Sequence, residues 1–486
     1  MANNLHSTYR LGIRWSLAGS LGAALFQFAQ MAVFARMARP EAAGDYALAA
    51  TFISFLTPVA EAGLSQAVVQ AERIHPRQLA ALAWVNWGLG AFIFIVLWLA
   101  GPTLAGWFGR SDLPGLLLLM GASLLVTPFG AQYSGLMSRE MRFDQSAKIE
   151  VVSWAVSFVG TVWLAWQGWG AWAMAVGFLL RNMVGTFGCV WAGSQIIAIN
   201  LFKTSSLREI APMLRFGFFE LSSRWADFFS NYLDKLIVAK WLGVAALGYY
   251  NLAFTFLMLP TARLGYVVTR VAFPVFAKVR HDRLQLQSFF ERSAREVILL
   301  LFPIYLAMAL FSKEIVLLFF GENWLPAAPL FVALGLAGLV RTLCAPFPQL
   351  VKGLGRPQLW LVWMLVFSSV LCGSLLLFLS LNSTIESAAW SRTAAKFVIE
   401  IGLLWWLARR CGVGFSPVLR FGARVAVWLL PIVALTWLAG FAPGGFWVAT
   451  VLKSTVFGAG LLWLYGRGHL RKEAQALLQN FTDKAA

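Results

Sequence analysis

Long apolar runs, each about 20 residues in length, alternate with short polar connections along the whole chain. A helical run of this length matches the thickness of the hydrocarbon core of a bilayer. A helix also satisfies its own backbone hydrogen bonds, which lipid cannot do. We therefore predict fourteen membrane-spanning helices, at about residues 12–36, 44–69, 79–99, 116–137, 149–167, 170–192, 213–233, 246–269, 295–312, 328–350, 359–381, 388–408, 420–440 and 446–466.

The chain contains an internal repeat with an offset of 204 residues. Residues 33–52 align with residues 237–256, and eight positions are identical, including the pairs Gly44/Gly248 and Tyr46/Tyr250. The offset covers six predicted helices, an even number, so both copies cross the membrane in the same direction. The predicted fold is an all-α polytopic membrane protein with two six-helix lobes of the same topology and two further C-terminal helices.

The repeat also sets the predicted domain boundaries. The first lobe takes residues 1–192 with helices 1–6, and the second takes residues 193–408 with helices 7–12. Helices 13 and 14 form an appendage at 409–466, and the tail 467–486 has the apolar spacing of an amphipathic interfacial helix. Two duplicated helical lobes are typical of alternating-access transporters.

Composition agrees with the hydropathy pattern, since 59% of the residues are hydrophobic and 12% are charged. A soluble chain carries about 25% charged residues. The net charge of +18 would fit a nucleic-acid partner, but most of the 39 Lys and Arg residues fall in connections on one side of the predicted helices. This positive-inside pattern predicts that both termini and the tail are cytoplasmic, and it argues against a nucleic-acid partner.

Other chemistries lack their sequence signatures. The four cysteines form no Cys-x-x-Cys pair, the four histidines are not clustered, and no phosphate-binding Gly-x-x-x-x-Gly-Lys-Ser/Thr loop occurs. The outer connections are also too short to hold the acceptor of a membrane-embedded enzyme. We therefore predict no enzyme activity, no cofactor and no metal site.

The seventh predicted helix carries an unusual polar stripe. Its members are spaced 4, 3, 4 and 3 residues apart, so they share one helix face: Glu220, Arg224, Asp227, Asn231 and Asp234. The repeat places Ser16, Ser20, Gln27 and Gln30 at four of the same positions in the first helix. Two explanations stay open: both stripes line a hydrated cleft, or the charges form intrahelical pairs such as Glu220–Arg224.

Further charges lie within the predicted spans. Arg392, Lys396 and Glu400 share one face of the twelfth helix, and Glu61 lies near the end of the second. The isolated cations are Arg181, Arg263 and Arg341. Long basic side chains that snorkel towards the interface, or structural salt bridges, are the alternative explanation for the isolated charges.

These cations together predict an anionic substrate. The candidate binding residues are Arg224, Arg392, Lys396, Arg263, Arg341 and Arg181, since guanidinium groups bind phosphate through paired hydrogen bonds. A carboxyl group in the same cleft could carry a coupling ion, H⁺ or Na⁺. The candidates for coupling are Glu61, Glu220, Asp227 and Glu400, while Ser16, Ser20, Gln27, Gln30, Asn231 and Asp234 are candidate lining residues.

Several stretches resemble one family. They are 61–70 (EAGLSQAVVQ), 84–90 (WVNWGLG), 136–143 (LMSREMRF), 242–254 (LGVAALGYYNLAF), 269–278 (TRVAFPVFAK) and 320–324 (FGENW). With these motifs the chain resembles the polysaccharide-transporter branch of the multidrug/oligosaccharidyl-lipid/polysaccharide exporter superfamily. Within that branch it is similar to Wzx-type flippases of the colanic-acid exporter kind.

The resemblance implies a flippase in the bacterial cytoplasmic membrane. It would move an undecaprenyl-pyrophosphate-linked oligosaccharide from the cytoplasmic to the periplasmic leaflet, for exopolysaccharide or lipopolysaccharide synthesis. Its other implied partners are membrane lipid and the polymerase and chain-length regulator of the same pathway. Two alternatives remain: a cation or drug antiporter of the same superfamily, and a membrane-embedded polysaccharide polymerase or ligase.

Overall fold

Helices account for nearly all of the chain. The computed structural model describes residues 2–70, 74–262, 275–276, 279–443, 445–466 and 470, and these contain no β-strand. Twelve helices among them are long and apolar enough to cross a membrane. The chain is therefore a multi-pass all-α membrane protein, as its hydropathy pattern predicts. The twelve include neither residues 207–230 nor 385–411, which are helical but more polar, so the predicted fourteen spans are compatible with the fold.

The described contacts divide the chain into two compact units, Met1–Asn251 and Leu252–Ala486. This division follows packing and says nothing of common origin, so the lobe boundaries taken from the repeat stay a prediction. The tail 467–486 lies outside the described residues except for Leu470.

Nine helices begin among the described residues of the first unit, and the last of them continues into the second. They are α1 (Ala2–Met37), α2 (Pro40–Glu61), α3 (Leu64–Gln70), α4 (Pro76–Phe108), α5 (Leu113–Gly121), α6 (Ser123–Arg139), α7 (Phe143–Trp166), α8 (Ala171–Ser194) and α9 (Leu207–Pro260). Within α9, Gly243 has φ 83° and ψ 173°, which is not helical. Glycine tolerates this backbone conformation, so α9 consists of two helical parts that meet at Gly243.

In the described part of the second unit the chain continues with nine α-helices and three short non-α turns. The α-helices are α10 (Arg283–Leu310), α11 (Ser312–Ile315), α12 (Ala328–Cys344), α13 (Phe347–Gly353), α14 (Pro357–Leu381), α15 (Ile385–Ala395), α16 (Ile401–Cys411), α17 (Ser416–Ala439) and α18 (Gly445–Gly466). Val316–Phe320 and Lys396–Glu400 are π-helical turns, and Glu322–Ala327 is a 3₁₀ turn. The π turn Lys396–Glu400 joins α15 to α16 without a break in the helix, and π turns are often found near functional positions.

The two copies of the repeat contact each other inside the first unit. A Cβ atom placed on Gly44 would lie 1.7 Å from the carbonyl oxygen of Val244, and one on Gly248 would lie 2.2 Å from that of Pro40. Only glycine allows backbones to approach this closely. The beginning of α2 and the part of α9 after Gly243 therefore cross at a pair of glycines that the repeat itself duplicates.

Candidate functional site

The site begins at the break that ends α2. Ala62 and Gly63 have positive φ angles of 46° and 63°, and the amide of Ala62 donates to the carbonyl of Pro58 at 2.9 Å. Left-handed residues of this kind terminate helices. The chain then turns into α3, which leaves Glu61 at the last position of α2.

Close backbone packing brings α9 to this break. A Cβ on Gly217 would lie 2.2 Å from the carbonyl oxygen of Ala62, and one on Gly63 would lie 2.9 Å from that of Gly217. About two turns further along α9, the indole N–H of Trp225 donates to the carbonyl of Phe55 at 3.2 Å, and the two rings stack with centroids 5.8 Å apart. The glycines thus allow α9 to place its polar stripe beside Glu61.

Arg224 lies between two carboxylates. Its Nη1 is 3.0 Å from Glu61 Oε2 and its Nε is 3.4 Å from Glu220 Oε1. The three side chains are each about one third exposed, at 33%, 31% and 34% for Arg224, Glu61 and Glu220. The structure therefore contains the intrahelical pair that the sequence offered as an alternative, and it adds an interhelical pair from α2.

A cavity of about 550 Å³ opens beside this ion pair, entirely within the first unit. Two arginines and two glutamates line it, together with hydroxyl and amide groups from α3, α6, α7 and α8. The polar lining residues are Glu61, Ser65, Gln66, Thr127, Ser134, Ser138, Ser146, Glu150, Ser153, Arg181, Asn182, Thr186 and Arg224. Such a wall can bind an anion through its guanidinium groups and sugar hydroxyls through its serines and amides.

Arg181 is held over aromatic rings at the wall of this cavity. Its guanidinium carbon lies 4.6 Å from the ring centroid of Trp154 and 5.2 Å from that of Phe178. Stacking on an aromatic face stabilises a cation while its N–H groups keep their capacity to donate. Three of the predicted residues, Glu61, Arg181 and Arg224, therefore lie at one cavity.

The polar residues of α7 that line this cavity were not predicted from the sequence. Ser146, Glu150 and Ser153 line the cavity at spacings of 4 and 3 residues, which is the same helical periodicity as the stripe in α9. That spacing could have identified the α7 wall from the sequence. It was hard to recognise because Glu150 lies near the end of a predicted span, where a carboxylate is expected simply because the helix leaves the hydrocarbon.

Other members of the two stripes lie elsewhere. Gln30 and Asp234 are buried, at 4% and 1% exposed, and are hydrogen-bonded within the first unit. Ser20, Gln27 and Asn231 are half-buried. The side chains of Ser16 and Asp227, and all of Arg263, lie outside the described part of the chain. Their predicted roles as lining, coupling or binding residues stay predictions.

Three charges of the twelfth predicted helix form a buried cluster in the second unit. Lys396 Nζ lies 2.5 Å from Glu400 Oε2 across the π turn, and both side chains are at most 3% exposed. Arg392 is 1% exposed and lies 4.7 Å from the ring centroid of Phe254. Arg341, on α12, is half-buried. Arg392, Lys396 and Glu400 are all enclosed by protein, and the predicted role of these four residues in substrate binding or coupling stays a prediction.

The described residues contain no group of three or more His, Cys, Asp or Glu side chains placed to hold a metal ion.

Sequence comparison identifies the family. The profile described as polysaccharide biosynthesis protein matches residues 33–329. The chain belongs to this family. A membrane protein from the cps region of Klebsiella pneumoniae is 30% identical over 71% of this chain and 71% of its own length. The lipopolysaccharide biosynthesis protein WzxC of Escherichia coli is 28% identical over 71% and 70% of the two chains. The succinoglycan biosynthesis transport protein ExoT of Rhizobium meliloti is 24% identical over 88% and 86%.

Solved structures show the same fold. A structure of the lipid II flippase MurJ in an inward closed conformation superposes with a TM-score of 0.75, at 16% identity, over 93% of this chain and 99% of that chain. A multidrug resistance transporter of the MATE family, in an inward-facing conformation, gives 0.66 at 15% identity over 84% and 98%. Family and fold confirm the predicted resemblance. The chain is a membrane transport protein of polysaccharide biosynthesis, not an enzyme.

Proposed function

We propose that this protein is a flippase for a lipid-linked oligosaccharide, moving it from the cytoplasmic to the periplasmic leaflet of the bacterial cytoplasmic membrane. The carrier would be undecaprenyl pyrophosphate, and the product would serve exopolysaccharide or lipopolysaccharide synthesis. Both termini would be cytoplasmic. The observation that carries the proposal is the cavity of about 550 Å³, where Arg181 and Arg224 face a wall of serines and amides.

The chemistry of this cavity suits the two parts of such a substrate. The pyrophosphate is a permanent anion, and guanidinium groups bind it through paired, charge-assisted hydrogen bonds. The oligosaccharide offers many hydroxyl groups, which pair with hydroxyl and amide side chains that both donate and accept. The names of the relatives, which concern lipopolysaccharide, succinoglycan and lipid II, support this substrate class.

The position of Arg224 supports coupling to an ion gradient. Glu61 and Glu220 both bind its guanidinium, so an arriving phosphate must compete with them. A carboxylate released from Arg224 loses the positive charge that stabilises its ionised form, and it then binds a cation more readily. We propose H⁺ or Na⁺ as that cation, with Glu61 and Glu220 as the coupling residues of the first unit.

A gene deletion complemented with Arg224 variants tests the proposal. Arg224→Ala should lower polymer output by about 10-fold or more, because a charge-assisted hydrogen bond is removed. The lipid-linked precursor should accumulate in the cytoplasmic leaflet. Arg224→Lys should retain part of the output, since it keeps the charge but not the paired geometry.

The control variant is Arg292→Ala. Arg292 also pairs with a glutamate four residues away, Glu296 at 3.3 Å, but its side chain is 59% exposed. The Arg292→Ala variant should leave polymer output unchanged. Wild-type output from Arg224→Ala, at equal protein level, would contradict the proposal. Glu61 and Glu150 in the same cavity also fit a cation antiporter. In that case the deletion strain would lose resistance to cationic dyes and keep normal polymer.

A further inference from the structure

A second pocket, of about 420 Å³, lies at one end of the first unit, away from the proposed substrate cavity. It is formed where the beginning of α4, with its N-cap His75, meets the connection between α8 and α9 and the first turn of α9. The amide of Ser205 donates to the carbonyl of Arg77 at 3.1 Å, which joins the connection between α8 and α9 to the first turn of α4. Its polar lining residues are His75, Arg77, Asn200, Lys203, Ser205 and Glu209.

The pocket is predominantly basic. Arg77 and Lys203 are both exposed, so their charged groups are available to a ligand, whereas the His75 side chain takes part in the capping box of α4. The carboxylate is engaged by neighbours, because Ser206 Oγ donates to Glu209 at 3.0 Å. Hydrogen bonds from Ser205 and Ser206, with a contribution from the charge of Arg77, lower the pKa of Glu209. Two permanent cations therefore outnumber one ionised carboxylate.

The length of α4 places this pocket at the level of lipid headgroups. The helix has 33 residues, which corresponds to about 50 Å, whereas the hydrocarbon core of a bilayer is about 30 Å thick. The helix is therefore about 20 Å longer than the hydrocarbon is thick, and we place its polar first turn, with Arg77 and Gln78, in the headgroup layer. Four crossings separate the beginning of α4 from the connection between α8 and α9, so both lie on the same side of the membrane, the side that the positive-inside pattern assigns to the cytoplasm.

Exposed aromatic residues mark the boundary of the hydrocarbon beside the pocket. Trp84 and Trp87 are 43% and 36% exposed, and their rings form an edge-to-face pair with centroids 5.6 Å apart. The indole N–H of Trp84 donates to the carbonyl of Leu201 at 2.8 Å, and the next residue, Phe202, is 95% exposed. Tryptophan is enriched at the headgroup level, and an exposed phenylalanine there inserts among acyl chains.

We infer that this pocket binds the phosphate headgroup of an anionic glycerophospholipid of the cytoplasmic leaflet. Arg77 and Lys203 contact the phosphate, while Trp84, Trp87 and Phe202 contact the acyl chains. Basic pockets on the cytoplasmic side of membrane helices bind anionic headgroups in this manner. The bound lipid would hold the connection between α8 and α9 against α4. The inference does not depend on which substrate the protein transports.

Lipid retention on the full-length protein tests the inference. Wild-type protein in phosphatidylcholine nanodiscs, with phosphatidylglycerol titrated in, should retain phosphatidylglycerol by native mass spectrometry. Arg77→Gln or Lys203→Gln should weaken this binding about fivefold, and the double variant about 20-fold. Both residues are exposed, so folding should persist. Lys203→Glu, a single charge reversal in the connection, serves as a second variant with a loss of at least fivefold.

The matched control is the double variant Arg292→Gln/Arg409→Gln, which removes the same charge from exposed positions of the second unit. It should keep wild-type retention. Equal retention by the Arg77/Lys203 double variant would overturn the inference. Selective binding of undecaprenyl pyrophosphate, with no binding of phosphatidylglycerol, would also overturn it, because the pocket would then serve the transported lipid. Displacement of phosphatidylglycerol by inorganic phosphate alone would overturn the role of the aromatic residues.

Discussion

The two copies of the repeat meet at equivalent glycines, Gly44 and Gly248. Fourteen residues before each glycine lies a buried polar residue, and this residue differs between the copies. Gln30 in the first copy and Asp234 in the second are 4% and 1% exposed. Gln30 Nε2 donates to Thr161 Oγ1 at 2.8 Å, and its Oε1 accepts from Ser157 at 3.2 Å. It therefore uses both the donor and the acceptor of its amide.

Asp234 acts only as a hydrogen-bond acceptor. Its Oδ2 accepts from the hydroxyl of Tyr250 at 2.6 Å, and its Oδ1 accepts from the amide of Lys235 at 3.0 Å. A carboxylate suits two donors and an amide suits a mixed set. The difference in charge between the copies at this position thus follows from local hydrogen-bond partners. It does not require a ligand.

The polar stripe of α9 therefore has two parts with different surroundings. Arg224 lines the cavity, whereas Asp234 is enclosed ten residues, or about 15 Å, further along the helix. One end of the stripe is therefore available to a substrate, and the other end stabilises the hairpin between the two parts of α9.

The largest effect is expected at the shared glycine. Gly44→Ala places a Cβ 1.7 Å from Val244 O, and Gly248→Ala places one 2.2 Å from Pro40 O. Both contacts are with backbone, which cannot move aside, so each variant should lower the free energy of unfolding by about 3 kcal/mol or more. Thermal unfolding of purified protein measures this, and polymer output should fall with it.

Gly88→Ala is the control, since a Cβ there would meet nothing within 4 Å. It removes a helical glycine and should be neutral or slightly stabilising. If Gly44→Ala and Gly248→Ala differ widely from each other in their free energy of unfolding, the two copies do not meet at a shared contact. The same holds if both variants are as stable as Gly88→Ala.

The sequence predicted the fold well because its signal is strong and local. Apolar runs, the repeat and the family motifs each depend on residues close together in the chain. They do not determine which polar residues meet. The sequence shows that Gln30 and Asp234 occupy equivalent positions of the repeat. It does not show that their hydrogen-bond partners are Thr161 and Tyr250. Similarly, Glu61 and Arg224 were recognised separately, while their pairing depends on the glycine contact between Gly63 and Gly217.

A second test replaces the buried amide of the first copy with a carboxyl group, as the second copy has at this position. Gln30→Glu removes the donor that serves Thr161 and the Met174 sulfur, which lies 3.6 Å away, and buries a carboxylate. We expect a loss of about 2–3 kcal/mol in unfolding free energy. Gln358→Glu, at an exposed position in the first turn of α14, should change it by less than about 0.5 kcal/mol. Wild-type stability of Gln30→Glu would mean that local partners do not select the amide.

The smallest effect is expected for the reverse exchange, Asp234→Asn. Asparagine keeps the shape and one acceptor oxygen for the Tyr250 hydroxyl, so the loss should be about 1–2 kcal/mol, the difference between a charged and a neutral hydrogen bond. A double-mutant cycle with Tyr250→Phe isolates this bond, and the two losses should be less than additive. Polymer output should stay near wild type at equal protein level, because Asp234 is enclosed. If output instead collapses while stability is unchanged, Asp234 acts in transport. The charge difference between the copies would then reflect function and not local packing.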